Sequence, residues 1–92
     1  MLIITKHLVI TGRVQGVGFR NYIEFKARQF HVTGWVRNRS NGSVEAMIQG
    51  TPDNVEALIV RAHRGPRNAS VTAVTVGDGS GSYPTFVTRP TE

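Results

Sequence analysis

Between Lys6 and Val14 apolar and polar residues alternate, with Leu8, Ile10, Gly12 and Val14 on one face, which predicts a β-strand. From Phe19 the spacing becomes helical: Phe19, Ile23, Ala27 and Phe30 form a stripe that Tyr22 and Phe25 widen. An aromatic stripe of this kind is core packing, not a ligand box. Two further strands, Val32 to Arg39 and Ser43 to Gly50, flank Ser40-Asn41-Gly42. A two-residue loop at Asn41-Gly42 would oppose Val36 to Met47. A three-residue loop with Gly42 in a left-handed bulge would instead oppose Val36 to Ala46 and Gly34 to Ile48. The second arrangement is favoured, because it gathers Val32, Gly34, Val36, Val44, Ala46 and Ile48 on one buried face. A second helix is marked by a capping Thr51, Pro52 at its first position, a stripe of Val55, Leu58, Ile59 and Ala62, and a stop at Gly65-Pro66. Val71 to Val76 reads as another strand, Gly77 to Ser82 as a mobile loop, and Thr85 to Arg89 as a short last strand.

The order strand, helix, strand, strand, helix, strand predicts an α+β fold. It is a ferredoxin-like βαββαβ sandwich, two helices on one antiparallel sheet, with a short extra C-terminal strand. No repeat or linker interrupts it, and residues 1–92 are expected to form one domain. Nucleic-acid binders, regulatory modules and enzymes share such a fold, so function has to be read from a site.

Composition narrows the chemistry. The chain has no cysteine, so a disulfide framework, a thiol nucleophile and a cysteine metal site are all impossible. His7, His31 and His63 lack metal-ligand spacing and read as surface residues, and no carboxylate cluster is visible. The formal net charge is +5, and nine of the eleven basic residues are arginine, a balance that attracts anions without choosing among them. The apolar start, Met1 to Ile4, is too short for a signal peptide or membrane span, so a soluble, cytoplasmic protein is expected.

One stretch stands apart: Gly12-Arg13-Val14-Gln15-Gly16-Val17-Gly18-Phe19-Arg20, at the junction of the first strand and first helix. Gly16 and Gly18 permit positive φ there, and successive amides in such a turn can form an anion-binding nest. The helix start adds free N–H groups and the positive end of its dipole. Arg20 adds a planar fork suited to phosphate, each charge-assisted bond worth roughly 1.5 to 3 kcal/mol. On spacing alone the turn also fits a purely structural loop. It is neither a Rossmann fingerprint nor a Walker loop, lacking the third glycine of the one and the Gly-Lys-Ser/Thr ending of the other.

The full string nevertheless closely resembles the signature of the acylphosphatase family. A second family block follows, Gly34-Trp35-Val36-Arg37-Asn38 continuing through Asn41-Gly42-Ser43-Val44-Glu45, and Gly65-Pro66 with Ala69 and Val71 extends the likeness. The tail departs from it, with Thr88 where isoleucine is usual. The resemblance implies the same ferredoxin-like fold and hydrolysis of acyl phosphates to carboxylate and inorganic phosphate, without metal or other cofactor. It further implies that phosphate is held by the amides of Gln15, Gly16, Val17, Gly18, Phe19 and Arg20 with the Arg20 guanidinium, and that Asn38 orients the attacking water. By position alone Asn38, at the end of a buried strand face, is either a turn-flanking amide satisfied by backbone or a site residue.

The chemistry suits this residue set. A carboxylate leaving group, whose acid has a pKa of about 4, departs without a general acid. What remains for the protein is positioning and electrostatic stabilisation. Two other readings compete: a nucleic-acid-binding module of the same fold, and a phosphate-sensing or carbamoyl-phosphate-handling domain like those fused to hydrogenase maturation proteins. The first would need exposed aromatics on the central strands. The outward positions Val9, Thr11, Glu45, Met47 and Gln49 supply none, with Trp35 as a possible exception. The expected partners are therefore an acyl phosphate and its product phosphate, with no nucleic acid or membrane, and a monomer as the default.

Overall fold

The hairpin in the middle of the chain takes the three-residue loop. Val36 pairs with Ala46 and Gly34 with Ile48, Gly42 N–H bonds Arg39 O at 3.1 Å, and Gly42 has φ 96°. In the computed structural model, which describes residues 1–92, this hairpin consists of β2 (Thr33–Asn38) and β3 (Val44–Gly50). The remaining elements are β1 (Ile4–Arg13), α1 (Phe19–Gln29), α2 (Pro52–Arg64), β4 (Ser70–Asp78) and β5 (Phe86–Thr88). The strands lie in the order β4-β1-β3-β2-β5. Strand β1 pairs antiparallel with both β3 and β4, and a bulge at Thr11/Gly12 shifts the β4 register before Gly12 and Arg13 complete the pairing at the glycine-rich turn.

One face of the sheet packs on both helices. Leu8, Ile10, Val36, Val44, Ala46 and Ile48 from the sheet meet Phe19, Ile23 and Ala27 of α1 and Val55, Leu58, Ile59 and Ala62 of α2. These are the alternating and helical positions that the pattern marks, with one exception: Phe25 is exposed rather than part of the stripe. Thr51 caps α2 through Asn54 N–H, and Pro52 opens the helix.

The tail corrects two expectations. The sheet is mixed rather than wholly antiparallel, because β5 runs parallel to β2 at the edge opposite β4. To reach that edge the chain must cross the outer face of the sheet, and Gln49 ties the crossing down. Its Nε2 donates to Gly81 O and to Thr5 Oγ1, both at 2.8 Å, and its Oε1 accepts from Tyr83 N–H at 3.1 Å. The stretch read as a mobile loop is therefore partly strand, Gly77 and Asp78 continuing β4, and partly a segment bonded to the sheet. Thr88, the departure from the family pattern, donates to Glu24 Oε1 of α1 at 2.8 Å, a bond that isoleucine has no means of making.

Helix α1 ends with its reversal on a non-glycine residue. Val32 N–H bonds Ala27 O at 2.8 Å and His31 N–H bonds Arg28 O at 3.3 Å, the bond pair of a Schellman motif. His31 occupies its left-handed position at φ 58°, the only non-glycine residue with positive φ. A side chain there costs roughly 1 kcal/mol relative to glycine. His31→Gly should therefore raise stability by about 1 kcal/mol, a gain of about 4 to 8 °C in Tm by thermal melt for a domain of this size.

Candidate active site

The turn between β1 and α1 presents backbone amides that the chain does not use. No N–H from Gly16 to Asn21 donates to another group of the protein. Gly16 has φ 72°, and Gly18, at the N-cap of α1, has φ 80° with no side-chain cap. Both glycines face open space. The segment is held at its ends instead: Val14 and Phe19 are buried, and Phe19 packs where a Cβ on Gly65 would come within 2.7 Å of its ring.

This turn borders a hollow of about 110 Å3 lined by Val14, Gly16, Gly18, Phe19, Arg20, Asn21 and Asn38. Such a volume accommodates a tetrahedral anion together with water. Of the residues singled out in the sequence, Gly16, Gly18, Phe19, Arg20 and Asn38 meet at this hollow, although Asn38 lies eighteen residues beyond Arg20 on another element. Val17 does not line it and packs against the core. The Gln15 side chain turns away and donates to Arg39 O at 2.8 Å and Ser43 O at 2.9 Å. Asn21, which sequence reasoning passed over, also lines the hollow. Its only signal is its place beside Arg20 in the first helical turn. A second, polar hollow lined by Thr11, Gly12, Asn41, Gly42 and Ser43 contains no charged side chain.

Arg20 is half-buried and forms no ion pair, hydrogen bond or aromatic stack within the chain. The other arginines without such partners, Arg13, Arg64 and Arg67, are exposed. Asn38 is half-buried at the end of β2, its carbonyl accepting from Glu92 N–H at 3.2 Å. Its side-chain amide bonds nothing in the protein, and no buried side-chain polar atom anywhere lacks a partner, so this amide is open to solvent in the hollow.

The neighbouring charges are locked together on the outer face of the sheet. Glu45 accepts from Arg37 Nε at 2.8 Å and Arg39 at 3.1 Å, and His7 Nε2 lies 2.6 Å from its other oxygen. His7 is thus half-buried and paired, not the free surface residue that its position implies. Burial opposes ionisation of Glu45, but the hydrogen bonds from His7 and Arg37, then the Arg37 charge and the Arg39 bond, outweigh it and lower the carboxyl to about 2. Trp35 is buried under the guanidiniums of Arg37 and Arg89, 4.9 and 4.7 Å from its ring centre. No group of three or more His, Asp or Glu side chains is arranged to hold a metal ion. No helix is long and apolar enough to cross a membrane.

Residues 6–87 match the family model for acylphosphatase. The chain belongs to the acylphosphatase family. It is 50% identical over 82 residues to an acylphosphatase of Salinibacter ruber, covering 87% of this chain and 86% of that one. Its fold superposes on the structure of an acylphosphatase from Coxiella burnetii with TM-score 0.91 at 34% identity, over 95% and 93% of the two chains. It also matches 12% of full-length HypF in its phosphate- and nucleotide-bound form, with TM-score 0.89, 25% identity and 98% of this chain covered. The chain is accordingly an enzyme of acyl phosphate hydrolysis, with the ferredoxin-like fold of the acylphosphatases.

The Glu45 cluster ties stability to pH. A carboxyl lowered by folding from 4.5 to about 2 contributes stability that is fully present above pH 4.5 and is lost as pH falls through about 2. Melting temperature should therefore fall between about pH 5 and 2. Glu45→Gln should be less stable at pH 7 and lose less over that interval, which melts at stepped pH would show.

Proposed function

We propose that acyl phosphate hydrolysis takes place in the hollow at the β1–α1 turn, with phosphate on the amides of Gln15 to Arg20 and the Arg20 guanidinium and the attacking water on Asn38. The observation that carries this reading is the meeting of three unsatisfied polar groups in one hollow. They are a run of unused amides, a half-buried arginine without a carboxylate partner, and a side-chain amide that bonds nothing in the protein. Donors without acceptors suit the three equatorial oxygens of a transferring phosphoryl group, on which negative charge spreads. The Gln15 side chain is engaged elsewhere, so its part in phosphate binding is confined to its backbone.

Water held by Asn38 attacks phosphorus in line with the departing carboxylate. The P–O bond to the acyl oxygen breaks, its electron pair leaves with the carboxylate, and the proton of the water passes to a phosphate oxygen. The leaving group needs no proton, since its acid has a pKa of about 4. Acceleration then comes from geometry and from pre-aimed positive charge.

The outer face of the sheet favours a small-molecule substrate over nucleic acid. The one aromatic at the outward positions of its strands, Trp35, is covered by two arginines and offers no surface on which a base could stack. Residues 1–92 are taken as one domain, in keeping with a single core cluster, and a cytoplasmic monomer is part of the same proposal.

Release of carboxylate from benzoyl phosphate, followed by ultraviolet absorbance with chelator present, tests the assignment. Arg20→Ala should lose activity by about 10³-fold or more, as for other arginines that neutralise a transferring phosphoryl group. Asn38→Ala should lower kcat by about 10²-fold and leave inhibition by inorganic phosphate largely unchanged. Full turnover by Asn38→Ala would remove the water-orienting role. A folded wild type without turnover would favour phosphate binding alone.

A further inference from the structure

One side chain connects the turn assigned to phosphate with the strand end assigned to water. The amide of Gln15 donates both its hydrogens, to Arg39 O at 2.8 Å and to Ser43 O at 2.9 Å. Both partners are carbonyl oxygens, which only accept, so the NH2 group must face them. The same two carbonyls close the β2–β3 turn. Arg39 O also accepts from Gly42 N–H at 3.1 Å, and Ser43 O from Arg39 N–H at 2.8 Å. The turn thus has its own bonds without Gln15. What Gln15 adds is a link across 24 and 28 residues of sequence between the first residue of the phosphate loop and the turn that begins beside Asn38.

We propose that Gln15 is a positioning residue for hydrolysis: its side chain sets the separation between the phosphate-holding amides and Asn38, and so places the water in line with the bond to be broken. This inference rests on the water-orienting role given to Asn38 above. Gln15 acts through the backbone of the hairpin and not through its side chain on the substrate. Distance is what such a link controls, since reacting atoms must lie about 3 to 3.5 Å apart in alignment and an error of about 1 Å costs on the order of 10²-fold. Phosphate affinity depends on the loop amides and Arg20, which the link leaves in place.

A double-mutant cycle with Asn38 separates positioning from general support of the fold. Gln15→Met, of similar length and without donors, should lower kcat for benzoyl phosphate by about 10- to 100-fold, with the inhibition constant of inorganic phosphate shifting much less. In the Asn38→Ala background the same substitution should have no further effect on kcat, because the water is already unplaced. Losses that multiply in the double variant, or phosphate affinity falling as far as turnover, would overturn the inference. Wild-type turnover by Asn38→Ala alone is a different result, the failure of the water reading itself. Gln15→Glu supplies a second probe if Gln15→Met does not fold. It faces the two carbonyls without a hydrogen when ionised, and its turnover should recover in part as pH falls and the carboxyl gains a proton to donate. A profile parallel to wild type would count against positioning.

Discussion

Backbone amides without acceptors must face water or a ligand, because burying them unpaired costs about as much as a lost hydrogen bond. From Gly16 to Asn21 the chain exposes such amides in succession. A turn of this kind gains nothing from its own backbone bonds and has to be held from outside. Val14 and Phe19 do so by sinking into the core at either end, and Gln15 ties the turn so held to the neighbouring hairpin. The bulge in β1 and the left-handed glycines give the path, and the packing of Gly65 against Phe19 brings the end of α2 under the same turn. Sheet, helices and hairpin each contribute one fixed point to the hollow beside Asn38.

Charge is distributed to the same end. Only six acidic residues face eleven basic ones. Glu45 is taken by Arg37, Arg39 and His7, Asp78 by Lys6, Glu24 by Arg28, and Glu92 by Arg37. Asp53 and Glu56, on α2, form no ion pair with any arginine. No carboxylate therefore neutralises Arg20, and Arg37, Arg39 and Arg89 are held over Trp35 and Glu45 on the outer face of the sheet. Among the arginines without a partner, only Arg20 is half-buried and borders the hollow.

The features readable from sequence were those set by near neighbours. The Asn41-Gly42 turn allowed two registers, and the apolar face shared by both strands chose between them, and with it the place of Asn38, because one shifted residue would have turned the apolar positions outward. Helical and alternating spacings identified nearly all of the core. Most of the misses involve partners far apart in the chain. Gln49 holding residues 81 and 83, Trp35 under Arg89, Thr88 on Glu24, and the parallel placement of β5 depend on which edge the tail reaches, and no local pattern encodes that. Phe25 failed for the opposite reason: its spacing fits the stripe, but the two-helix layer has no neighbour on that side to cover it. The meeting of the glycine-rich turn, Arg20 and Asn38 at one hollow was legible through the family resemblance, whereas the bonds of the Gln15 side chain to the hairpin were not.

The most direct test of the account is an amide NMR titration with inorganic phosphate at low ionic strength. The account predicts saturable shifts of the Gly16, Val17, Gly18, Phe19 and Arg20 N–H signals, absent in Arg20→Ala. Shifts confined to the exposed arginines near Arg64 and Arg67, or none that saturate, would contradict it.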